Sequence, residues 1–203
     1  MKAMTKNVMW AMVAAGAMAA GAVLSSGAGL SGGSVLRAAQ PAEEPANTYT
    51  EMRQQVLAGT KFVYTKKETS FIEFGELIGP MIEKALTASG EGKMGAPAGT
   101  ITFVYRGITG GDPTARFTLE VGLPVGNDGK APEGFEMAEL PPFRCASLIM
   151  TGPMSGMPEA YGRLMGEIQA AGLTPTGVNR ESYLYWEGMD SRNNITHIAM
   201  GVQ

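Results

Sequence analysis

The chain is poor in the residues that usually announce chemistry. Its 203 residues include one cysteine, Cys145, and one histidine, His197. A single thiol cannot close an intramolecular disulfide, and with one imidazole no metal-ligand spacing exists. Cys145 opens the apolar run 145–150, where nothing nearby would lower its pKa, so it reads as a buried structural thiol. Positive charge is scarce too. Sixteen Lys and Arg against 19 Asp and Glu leave a net charge of −3, and no basic stripe occurs. That argues against nucleic acid as a direct partner, because a DNA-reading domain carries an electropositive face. The glycines at 107, 110 and 111 lack the lysine and the strand–loop–helix setting of a phosphate loop. No cofactor is implied.

One long uncharged stretch exists, residues 7–36, most apolar over 8–24 and preceded by Lys2 and Lys6. A positive flank followed by an apolar segment is the pattern of an export signal. Ser26-Gly27-Ala28 and Ala20-Gly21-Ala22 both offer small-x-small cleavage sites. An uncleaved anchor is the other form of this reading, since about 20 apolar residues span a bilayer. Residues 1–36 are therefore assigned as signal peptide or N-terminal membrane anchor, and the protein as exported to the periplasm or cell envelope. Residues 37–59 read as a linker, rich in Pro, Ala and Glu at first, with a short helix over 49–57.

The remainder, 60–203, reads as one motif written twice, over about 61–125 and 143–202. Ala88-Ser89-Gly90 and Met94-Gly95 match Ala171-Gly172 and Thr176-Gly177. Glu120-Val121-Gly122-Leu123-Pro124-Val125 matches His197-Ile198-Ala199-Met200-Gly201-Val202 without a gap. In the first copy, strand 61–65 precedes a helix opened by the capping-box pattern Ser70-Phe71-Ile72-Glu73 and interrupted at Pro80. Strands 100–105 and 117–123 follow. The second copy repeats the order with strand 144–150, helix 158–171 and strands 182–186 and 195–200. The fold class is α+β: two β-α-β-β modules about a pseudo-twofold axis, with a ligand cleft between them.

The second copy carries a recognisable series. Leu140-Pro141-Pro142, Ala146-Ser147, Gly152-Pro153-Met154, Glu159-Ala160-Tyr161-Gly162-Arg163-Leu164, Arg180-Glu181-Ser182-Tyr183 and Ile195-Thr196-His197-Ile198 occur in that order. This resembles the GyrI-like small-molecule-binding family, the effector-binding domain of many AraC- and MerR-type regulators. The resemblance covers about residues 60–203. It implies two side-by-side modules enclosing a cleft for hydrophobic, often cationic or aromatic, molecules. A few relatives hydrolyse reactive small molecules. Members commonly end the second repeat with Thr-Glu-Ile, whose glutamate pairs with cationic ligands; here Thr196-His197-Ile198 stands instead, which puts cation binding in doubt. No helix-turn-helix region precedes the domain, so a transcriptional role is not expected.

Strand alternation sets Glu120, Gly122 and Pro124 against Leu119, Val121 and Leu123, and the gapless match makes His197 the mate of Glu120. Ligand-binding residues are expected to be Glu120, Tyr161, Tyr183, His197 and Trp186, with rings supplying area and the Glu–His pair supplying polarity. The adjacent Arg180 and Glu181 read as a local ion pair. The function expected is binding of a small hydrophobic or aromatic molecule without a DNA-binding domain. Two alternatives stand beside it: a hydrolase in which Glu120 and a tyrosine or His197 activate water, and an envelope protein-interaction module.

Overall fold

A computed structural model of the chain describes residues 47–203. The proposed signal or anchor, 1–36, and most of the proline-rich start of the linker lie outside the described residues. The elements run β1 (Thr48–Tyr49), β2 (Arg53–Leu57), β3 (Thr60–Thr69), α1 (Phe74–Gly90), β4 (Thr102–Arg106) and β5 (Phe117–Val125). They continue with β6 (Glu136–Leu140), β7 (Phe143–Thr151), α2 (Met157–Ala170), β8 (Pro175–Tyr185) and β9 (Ile195–Val202). A 3₁₀ turn, Met154–Gly156, leads into α2. Among the described residues the fold is α+β, one antiparallel sheet with two helices.

Strand order along the sheet is β1-β7-β9-β8-β4-β5-β3-β6, with β2 also paired to β7. The first half contributes the order β3-β5-β4 and the second β7-β9-β8, and the halves join through β4 and β8 at Phe103↔Glu181. At the far ends, Leu57 pairs with Phe143 and Thr60 with Leu140, so the ladder crosses from β2/β7 to β3/β6 without changing register. Gly59 sits at this crossing, where a Cβ would come within 3.0 Å of the Leu140 carbonyl oxygen.

Both helices lie on one face of the sheet. Phe74, Ile78 and Met81 of α1 and Ala160, Leu164 and Ile168 of α2 share a core with Phe103, Leu119, Val121, Leu148, Ile198 and Met200. The sequence spacing explains this, because these helical residues recur at three or four and the strand residues at two. The opposite face holds smaller clusters, one of Phe62, Tyr64, Val104 and Leu140 and one of Phe143, Cys145 and Ala199.

Several local expectations change. Residues 49–57 form strands, not a helix, because the free edge of β7 offers the backbone a ladder that nine residues of helix could not match. The domain therefore begins before residue 60, inside the segment read as linker. Strand β6 had no counterpart in the periodicity; it is recruited by β3. The capping box does not form: no side chain caps α1, and Glu73 instead pairs with Arg116. Pro80 does not end α1. Both Pro80 and Glu76, whose carbonyl loses its amide partner, are exposed, so water can satisfy the freed oxygen.

Candidate functional site

A cavity of about 580 Å³ opens between the two helices, on the sheet face that they cover. Its wall on the α2 side is a stripe at a spacing of four, Met157, Tyr161, Met165 and Gln169. Residues four apart stack along one helix face, so this stripe stands beside the core stripe of Ala160, Leu164 and Ile168. Phe71 and Phe74 close the α1 side, Tyr105, Asn179, Glu181 and Met200 form the floor, and the segment 108–111 with Pro175, Thr176 and Gly177 forms one end. That end is pinned: the amides of Gly107 and Ile108 both donate to the Gly177 carbonyl at 3.0 Å. Gly107 and Gly177 both have positive φ, 82° and 77°, which permits the tight approach.

The chemical centre of this wall is Glu181, only 3% exposed. Its Oε1 accepts a hydrogen bond from the Tyr161 hydroxyl at 2.6 Å. Its Oε2 accepts from the hydroxyls of Tyr183 at 2.7 Å and Tyr105 at 2.8 Å. Burial pushes the Glu181 carboxyl above its ordinary range, against the pull of the three tyrosine donors. The same burial, reinforced by the Glu181 charge, holds all three tyrosines well above the usual phenol range, so they remain donors. Among the described residues no basic side chain forms an ion pair with Glu181. Neutral donors satisfy the oxygens of a carboxylate without cancelling the charge of its ionised form.

The expected site residues separate. Tyr161 lines the cavity and Tyr183 lies behind it, its hydroxyl on Glu181 and its ring 4.7 Å from Phe103. Glu120 and His197 do not line it. They are on the other face of the sheet, as their shared alternation requires, but the helices cover the apolar face, and the gap between helices is the cavity. Glu120 is held by Arg106, with Nε to Oε1 at 2.7 Å and Nη2 to Oε2 at 3.1 Å. His197 is half-buried, 3.4 Å from Gln55 Nε2, and burial lowers its pKa, keeping the imidazole neutral at pH 7. Trp186 stands outside the cavity, edge-on to Tyr183 at 5.9 Å.

Glu181, and not Glu120, is the acid at the cavity wall. The ion pair expected with Arg180 does not exist, because adjacent strand residues point to opposite faces. The Arg180 guanidinium lies 4.1 Å over the Phe143 ring and reaches the Pro141 carbonyl at 3.4 Å. The usable signal was the period of two that places Glu181 on the same side as Tyr183. Among the described residues no group of three His, Cys, Asp or Glu could hold a metal ion.

Comparison with known proteins agrees with this architecture. Residues 50–202 match the GyrI-like small molecule binding domain. Among solved structures, the C-terminal domain of EcmrR superposes with a TM-score of 0.56 at 19% identity, covering 75% of this chain and 97% of that one. EcmrR in its DNA complex gives 0.57 at 18% identity over 76% of this chain, which spans only 57% of that protein. SAV2435 bound to tetraphenylphosphonium gives 0.52 at 15% identity, covering 76% and 94%. No curated protein sequence matches the chain.

Proposed function

The chain belongs to the GyrI-like small molecule binding domain family, and from that premise we propose that its cleft takes up a flat, apolar, positively charged molecule with Glu181 as counter-charge. The observation that carries this is the carboxylate at the cavity wall, satisfied by three tyrosine hydroxyls and by no cation. A buried carboxylate left with net charge is costly unless a ligand supplies the opposite sign. Around it, aromatic and methionine side chains give area that adapts to different apolar outlines. SAV2435, of similar fold, binds the lipophilic cation tetraphenylphosphonium. The missing acid at position 197 therefore does not remove the counter-charge; Glu181 supplies it from β8.

The two β-α-β-β halves are read as copies about a pseudo-twofold axis running between β4 and β8. The domain works outside the cytoplasm, led there or held there by residues 1–36. Hydrolysis through Glu120 has no observation in its favour, since Arg106 occupies that carboxylate on the face away from the cavity. The open cleft, not filled by the domain's own side chains, speaks against a purely interacting module.

The test is calorimetric titration of the protein with tetraphenylphosphonium and with a neutral aromatic of similar size. Binding of the cation that falls about tenfold to a hundredfold in Glu181→Gln supports the reading, as expected for losing one buried charge-assisted contact. Equal binding of cation and neutral compound, unchanged in Glu181→Gln, would overturn it.

A further inference from the structure

The tip of the β8–β9 hairpin carries three consecutive large side chains, Leu184, Tyr185 and Trp186, each left nearly half exposed. Single exposed apolar residues are ordinary on a protein surface, but three in a row, where the β8–β9 ladder shifts register between Tyr183 and Tyr185, concentrate apolar surface at one hairpin tip. The loop behind them is rigidly built. Glu187 accepts hydrogen bonds from the Tyr185 hydroxyl at 2.8 Å, Ser191 Oγ at 2.7 Å and Asn193 Nδ2 at 2.9 Å. The fully buried Asn194 closes the loop, its Oδ1 accepting from the Glu187 amide at 2.9 Å and its Nδ2 donating to the Gly188 carbonyl at 2.5 Å. A patch held on such a frame loses little freedom on contact.

Its place in the sheet supplies the second observation. Tyr185 pairs with Ile195, Ile195 with Thr151, and Thr151 with Thr48. This one row across four strands puts the exposed tip about 15 Å, three strand spacings, from the point where the N-terminal segment joins the domain. That segment contains the chain's one long apolar stretch, 8–24.

We propose that Leu184, Tyr185 and Trp186 form a bilayer-contact tip that rests in the headgroup–acyl boundary of the membrane holding residues 8–24. The proposal rests on the anchored form of the reading given above for residues 1–36. Tyrosine and tryptophan prefer this boundary, where an apolar ring and a polar edge are both satisfied. Glu187 and Asp190 outnumber Arg192 in the same loop, so the layer it fits is zwitterionic, not anionic. With the tip down, the hairpin that carries Tyr183 and Glu181 stands against the membrane, where lipophilic cations concentrate.

The experiment uses the full chain with Trp10→Phe, which leaves Trp186 as the sole tryptophan of the two, mixed with phosphatidylcholine vesicles with and without brominated acyl chains. Flotation reports anchoring, and Trp186 emission reports the tip. The expected result is flotation with a blue-shifted Trp186 emission that brominated lipid quenches, and loss of that quenching in Leu184→Ser/Tyr185→Ser while flotation persists. Flotation with an unshifted, unquenched Trp186 would overturn the tip contact and leave the anchor reading standing. Failure to float would overturn both. A blue shift that grows with protein concentration in the absence of vesicles would assign the patch to a second copy of the chain and overturn the proposal.

Discussion

Glu120 and Glu181 are buried to nearly the same degree, 6% and 3% exposed, on opposite faces of one antiparallel sheet. On the face away from the helices, Glu120 meets the two-pronged guanidinium of Arg106 and its charge is cancelled in place. On the helix-covered face, Glu181 meets three hydroxyls, which satisfy its lone pairs and leave its charge unmatched. The first arrangement is a finished structural contact. The second leaves an acid with only neutral donors beside an open cavity. Burial and residue type alone do not distinguish these two acids; the partner does.

The comparison can be broken by exchanging the two glutamates for glutamine. Glu181→Gln should cost cation binding about 1.5–3 kcal/mol. It should also raise the melting temperature at pH 7, because burial disfavours the charged form and the amide removes it. Glu120→Gln should do the reverse, leaving affinity unchanged and lowering stability by about 1–2 kcal/mol, since Arg106 is only partly buried and water takes up part of the loss. Parallel calorimetry and thermal melts check both, and a cation affinity that follows Glu120 would reverse the assignment of the faces.

Tyr161→Phe sharpens the same contrast by about 1 kcal/mol, the worth of one hydrogen bond. It removes the donor to Oε1, so the Glu181 carboxyl should rise further and cation affinity at pH 7 should weaken severalfold, readable by titration. The pH dependence follows in sign. Glu181 titrates above its ordinary range, so the protonated form is favoured in the fold. Its contribution to stability is full below the ordinary carboxylate pKa and is lost as pH rises through the raised one. Affinity for a permanent cation runs oppositely, increasing with pH through that same range and then flattening. Glu181→Gln should make the affinity profile flat.

The smallest effect belongs to His197. Its pKa is lowered by burial, so the fold favours the neutral ring, and the stability it contributes is present above pH 6.5 and lost as pH falls through the depressed value. His197→Gln should remove that acid-side loss without touching cation affinity, as melts between pH 5 and pH 7, read against titrations, would report.

Much of the frame was legible along the chain. The alternation in 117–125 correctly opposed Glu120 to Leu119 and Val121, and Pro158 and Gly172 bracketed a helix, read as 158–171, that spans Met157–Ala170. Reading the polar face as the cleft face was the error, because alternation says that two faces differ without saying which one the helices leave partly open. Residues 49–57 and 136–140 escaped for a related reason. Their strand state comes from the edges of β7 and β3, distant in sequence, and not from any local period. The fold class, the order of strand, helix and two strands in each half and the family resemblance were determined by local pattern, since periods of two and four bury apolar groups whatever lies elsewhere. Which acid meets only neutral donors was decided only in three dimensions, where residues 76 apart bring Tyr105 to Glu181 and a neighbouring strand brings Arg106 to Glu120.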